Sequence, residues 1–227
     1  GPNARKVLEK VVDADVSNAA FPFSGYREFT VGGVISVRAM RLGFVGELSF
    51  ELHVPASYMP SLWEMVASAG REFNIRNFGV EAQNVLRMEK GHIILGVESE
   101  QRTNLLDCGL GFLWDRTKSQ AKTVGAVALR QAEADPGRLT LVGIQMEGDR
   151  PAQDGSIIVD SRVRGYVCTA RKSVSLGKSV GMALVESQLS DVGTRLEIFE
   201  DECGGKRIYA RIVPMPFYDP EGNRMKM

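Results

Sequence analysis

From Leu139 onward the chain reads LTLVGIQME (139–147), SIIVD (156–160), VRGYVCTA (163–170), KSVGMALVE (178–186), TRLEIFE (194–200) and KRIYARIV (206–213). Each run is short and rich in β-branched or aliphatic residues, and Gly or polar residues separate it from the next. No helical pattern interrupts the series. Six such runs in succession predict an antiparallel barrel or sandwich. Asp135-Pro136-Gly137, a strong turn signal, stands just before the first run.

Upstream of that turn the texture is mixed. Ala4, Leu8, Val11 and Val12 fall at helical spacing, with Pro2 suited to a first-turn position. Leu62, Met65, Val66, Ala69 and Phe73 mark an amphipathic helix over 57–74. Residues 80–90 form another helical segment that stops at Gly91, and 126–134 a short one. Between these lie two predicted strands, 34–42 and 49–54, joined through Gly43-Phe44-Val45-Gly46 as a hairpin with a tight reversal. The expected class is α+β, an α/β part over 1–136 followed by an all-β part over 137–227.

Composition bounds the function. Lys+Arg and Asp+Glu are 28 each, so the formal net charge is zero, and 44% apolar residues with 25% charged are an ordinary globular balance. Zero net charge argues against non-specific nucleic-acid binding as the main task, which needs excess cation facing phosphates. No stretch approaches about 18 consecutive apolar residues, so no membrane-spanning helix is expected. Cys108, Cys168 and Cys203 are far apart and form no CxxC pair, so buried free thiols in a reducing compartment, the cytoplasm, are the expectation. There is no phosphate loop, HExxH or GxGxxG, and only His53 and His92 are available to a nucleophilic triad or metal cluster.

The strand at 49–54 carries the sharpest local signal. Phe50, Leu52 and Val54 point to one face, and Ser49, Glu51 and His53 to the other. The outward set is either a solvated sheet face or a recognition surface. In the second case Glu51 accepts two N–H bonds side by side from an amidine-like edge such as an aminopterin ring, and Phe44 offers an aromatic face to the heterocycle. Arg87, Glu89 and Lys90 read as a surface ion-pair set on a helix, and Gly109–Trp114 either as two aromatics beside a backbone that something approaches closely or as a glycine-relaxed strand packing Trp114 inward.

The ordered set of motifs resembles a known family. GPNAR (1–5), GFVGELSFE (43–51) and LRMEKG (86–91) resemble the aminomethyltransferase (glycine-cleavage T-protein) superfamily. GVEAQNVLRMEKGHIILG (79–96), NLLDCGLGFLW (104–114) and PFYDPEGNRMK (216–226) are most similar to the C-terminal folate module of the sarcosine oxidase alpha subunit.

The resemblance implies a folate-binding-type domain, truncated at its N-terminus, over 1–136 and a small β-barrel over 137–227. It places the pterin-holding carboxylate on Glu51 and the motif's aromatic on Phe44, which lacks the family tyrosine's hydroxyl. It puts Gln83 where glycine-cleavage proteins carry an arginine beside the pterin, a departure that fits the sarcosine-oxidase branch. The family's catalytic Asp lies upstream of Gly1, so these residues read as a fragment of a larger enzyme.

The implied cofactor is tetrahydrofolate, with FAD, FMN and NAD held by other segments or partner subunits of an amine oxidase. The implied function is capture, as 5,10-methylenetetrahydrofolate, of a one-carbon unit from N-methyl amine oxidation. The alternatives are the aminomethyltransferase of glycine cleavage and a folate-free interaction domain.

Overall fold

The structure, a computed structural model, describes residues 1–100, 102–117, 123–201 and 204–227. The chain divides into two compact units, Gly1–Asn84 with Asp219–Met227, and Val85–Tyr218. Each is taken by itself.

The first unit is an antiparallel sheet of order β1-β2-β3, made of β1 (Tyr26–Val31), β2 (Ile35–Met40) and β3 (Glu51–His53), backed by α1 (Ala4–Glu9) and α2 (Met59–Gly70). Its core explains the pattern of the strands. Val31, Ile35, Val37 and Ala39 are buried from the sheet side, with Phe29, Phe50, Leu52 and Val54 packed against them, while Leu8, Val11, Val12, Phe21 and Leu62 close the other side. Phe21 meets Phe29 edge-on at 6.5 Å and Phe50 at 5.5 Å between ring centroids, the offset geometries that aromatic quadrupoles favour.

The predicted pair of strands is present, with Met40 opposite Glu51 and Arg38 opposite His53. The tight reversal is not: an irregular segment, 41–50, joins them. The cause is Arg41, which is buried and leaves the sheet to donate from Nη1 to the carbonyl of Phe21 at 2.8 Å and from Nη2 to that of Met227. Its own N–H donates to Gly25 O at 3.0 Å. A chain held by these bonds cannot turn straight back on itself.

The second unit contains the barrel. The six predicted runs form β4 (Leu139–Met146), β5 (Ile157–Val159), β6 (Val163–Ser173), β7 (Lys178–Glu186), β8 (Arg195–Glu200) and β9 (Lys206–Val213), closed in the order β4-β7-β6-β5-β8-β9 with every pair antiparallel. Closure leaves no strand edge unpaired. The lumen is filled by Val142, Ile144, Val167, Ala183, Val185, Leu196, Ile198, Ala210 and Ile212.

β7 reads as an unbroken apolar run because both of its faces are covered. Val180, Met182 and Leu184 point out of the barrel into a second cluster with Met88, Leu141 and Cys168, flanked by Met215 and Phe217. Where β6 crosses β7, Gly165 lets the backbones approach closely. A Cβ there would stand 2.1 Å from the Leu184 carbonyl oxygen. Gly165→Ala is therefore expected to cost about 1–3 kcal/mol by overpacking, read as a lowered urea midpoint with an unchanged slope.

Helices α3 (Val80–Glu89) and α4 (Ala126–Ala134) match the predicted segments, and the division between units falls inside α3. Two readings need correction. Arg87, Glu89 and Lys90 are buried, not a surface set. Arg87 Nη1 lies 2.7 Å from Glu98 Oε1, and Glu89 accepts from Ser173 Oγ at 2.6 Å and Ser175 Oγ at 2.9 Å. Helical spacing gave the ion-pair prediction, but Arg87 pairs with Glu98 beyond the helix end and Glu89 is bonded by serines far along the chain. Gly109–Trp114 is not a strand either. Gly111–Leu113 is a single 3-10 turn, and Trp114 is buried as expected, with the Arg116 guanidinium 4.8 Å from its ring centroid.

Candidate functional site

The outward face of the three-stranded sheet presents polar groups in rows set by the register. Tyr26, Met40 and Glu51 stand in one row, and Glu28, Arg38 and His53 in the next. Both rows face away from the core because Phe29, Val37, Ala39 and Leu52, on the alternate positions, are packed into it. Burial of one face thus dictates what the other displays.

Glu51 is about half exposed, at 51%, and the group placed against it is His53, whose Nε2 lies 3.4 Å from Oε2. In the neighbouring row Arg38 Nε stands 3.7 Å from Glu28 Oε1, and the Tyr26 hydroxyl donates to that same carboxylate. The bond to Glu28 is the main reason that the Tyr26 hydroxyl is held above the ordinary tyrosine range, with burial adding to it. Tyr26 therefore stays a neutral donor and aromatic surface across physiological pH.

Phe44 lies in the 41–50 segment, 36% exposed, and Gln83 is half-buried in the first turns of α3, its backbone N–H donating to Gly79 O at 3.2 Å. Glu51 and Phe44 thus share one continuous stretch, whereas Gln83 belongs to a separate element. The row partners Tyr26, Met40 and Arg38 were not singled out from sequence. The signal existed in YREFTV (26–31), where Phe29 and Val31 alternate with Tyr26, Glu28 and Thr30 between Gly25 and Gly32.

A mostly apolar cavity of about 570 Å³ opens on the opposite side of β3, lined by Val7, Phe50, Leu52 and Phe73 among others, with Asn3 and Arg76 as polar members. Glu51 points away from it.

The two described thiols offer no competing chemistry. Cys108 and Cys168 are buried and unbonded to each other, and burial pushes the Cys168 thiol up to about 12 and raises that of Cys108. Neither is a thiolate at neutral pH. Cys203 lies outside the described residues. Among the described residues no group of three or more His, Cys, Asp or Glu is arranged to hold a metal, and no helix is long and apolar enough to cross a membrane.

Comparison with known proteins identifies the lineage. The family model "GCVT N-terminal domain" matches residues 1–118, and the "Glycine cleavage T-protein C-terminal barrel domain" matches 140–219. Sarcosine oxidase subunit alpha of Corynebacterium sp. (strain P-1) is 31% identical over 99% of this chain and 24% of its own length. The aminomethyltransferase of Geobacillus kaustophilus (strain HTA426) is 34% identical, over 96% of this chain and 58% of its own. The mitochondrial dimethylglycine dehydrogenase of Homo sapiens is 34% identical, over 100% and 26%.

The chain thus spans a quarter to somewhat over half of these relatives. A solved structure of the glycine cleavage system aminomethyltransferase T from Bartonella henselae shares the fold, with a TM-score of 0.73 at 23% identity, covering 81% of this chain and 50% of that one. On the match of both domains, in order, the chain belongs to the glycine cleavage T-protein (aminomethyltransferase) family.

Proposed function

We propose that these residues form the tetrahydrofolate-holding part of an enzyme that oxidises an N-methyl amine such as sarcosine. The observation that carries the reading is Glu51, a half-exposed carboxylate held on β3 and turned outward in one row with Met40 and, one strand further, Tyr26. The residues fit the ligand. A carboxylate with two acceptor oxygens matches the paired N–H edge of a pterin, and we assign the flat apolar surface for its ring to Tyr26, two strands away in the same row, and to Phe44, in the segment that leads into β3.

Bound folate would supply the acceptor for the one-carbon unit, leaving as 5,10-methylenetetrahydrofolate. The protein's own part is orientation: Glu51 fixes the ring's polar edge, and the aromatics fix its plane. Gln83 is proposed as a neutral neighbour of the ring, where an arginine would add charge. The flavin and NAD sites are assigned to other segments or partner subunits, and the border between folate-binding domain and barrel to 136/137. A cytoplasmic setting is proposed on the two buried free thiols.

The relatives named aminomethyltransferase support a second reading, transfer within glycine cleavage, since they match at comparable identity. Gln83 weighs against it. The experiment is calorimetric titration of the full-length protein with tetrahydrofolate, alongside Glu51→Gln. The substitution is expected to weaken binding by about 1–3 kcal/mol, the worth of a charged hydrogen-bond partner. Equal affinity would remove Glu51 from the site, and no binding by the unaltered protein would leave a folate-free interaction domain. Flavin-dependent turnover of sarcosine separates the oxidase reading from the transferase one.

A further inference from the structure

Beside Glu51 stands a histidine that the folate reading leaves without a task. Residues two apart on a strand share a face, so His53 and Glu51 are neighbours by construction, with Nε2 3.4 Å from Oε2. The register names the other polar groups around the pair. Arg38 is opposite His53 on β2, Glu28 is opposite Arg38 on β1, and Tyr26 and Met40 share the row of Glu51. Arg38 and Tyr26 are both directed to Glu28. His53 is therefore the group set to orient the Glu51 carboxylate.

We propose that His53 is a positioning residue that fixes the plane of the Glu51 carboxylate for a ligand carrying two adjacent N–H donors. A free glutamate on a strand turns about three side-chain bonds, and only some rotamers present both oxygens outward. An imidazole at Oε2 selects among them without occupying the site, because each carboxylate oxygen has two lone-pair positions and can accept from His53 and from the ligand together. His53 acts through Glu51 and does not touch the ligand. The inference rests on the folate reading above and adds the element that makes Glu51 rigid.

The test is a double-mutant cycle in the full-length protein, with tetrahydrofolate as the probe and calorimetry as the readout. His53→Ala is expected to weaken binding by about three- to tenfold, the range of one hydrogen bond. His53→Gln is expected to recover most of that loss, since its amide nitrogen reaches the place of Nε2. In the Glu51→Gln background His53→Ala is expected to change nothing further.

Both side chains are more than half exposed, so the melting temperature of His53→Ala is expected to stay at that of the unaltered protein. Unchanged binding by His53→Ala, or the same loss in both backgrounds, overturns the positioning role. If Glu51→Gln binds as the unaltered protein does, the folate reading itself fails. If Glu51→Gln weakens binding and His53→Ala does not, only the inference about His53 fails.

Discussion

Replacing Glu98 by Gln is expected to destabilise the Val85–Tyr218 unit by about 3–5 kcal/mol, the usual cost of removing one partner of a buried ion pair. Arg87 and Glu98 are 2% and 0% exposed, and their charges meet at 2.7 Å. Arg87 also donates to His92 O at 3.0 Å, and Glu98 accepts from the Ile94 N–H at 2.8 Å. The pair therefore ties the end of α3 to the segment that follows it.

Without the carboxylate the guanidinium keeps its charge, because arginine does not deprotonate in proteins. It is then left in a dry site with no counter-charge. Urea unfolding of Glu98→Gln reads the loss directly. The paired replacement Arg87→Met with Glu98→Leu is expected to recover most of it, because desolvation then no longer opposes folding. A shift of less than about 1 kcal/mol in the single variant would place the pair with solvated ion pairs.

Truncating Met88 to Ala is expected to cost about 2–5 kcal/mol. Met88 is fully buried in the last turn of α3, against Leu141, Cys168, Val180, Met182 and Leu184 on the outer face of the barrel. That face is built of strands whose other side is already committed to the lumen, so the surroundings have little freedom to collapse into the gap. Met88→Leu keeps the volume and is expected to lose less than about 1.5 kcal/mol. Urea unfolding compares the two. A similar loss from both would point to shape, not the cavity, as the cause.

Much of the fold was legible because periodicity is local. The six barrel runs and the segments around α2, α3 and α4 each carried their pattern within about ten residues. What escaped was set by distant partners. The Arg87 and Glu89 side chains sit at ordinary helical spacing, yet Glu98, Ser173 and Ser175 receive them. The 41–50 segment looked like a tight turn until Arg41 found the carbonyls of Phe21 and Met227. The outward turn of Glu51 was legible from alternation, but its row partners depended on recognising β1, whose alternation is spoiled by Arg27 on the inward side.

The two-faced sheet has a consequence for how such a site changes over time. A slip of one residue would exchange Glu51 with Phe50 or Leu52, so the apolar side enforces the register on behalf of the polar one. Phe29, Val37 and Leu52 carry the obligation to fold, which leaves Tyr26, Arg38 and Glu51 accountable only to what they touch. Lineages sharing this fold can therefore retune their chemistry on one side of a strand while drift on the other side is held in check.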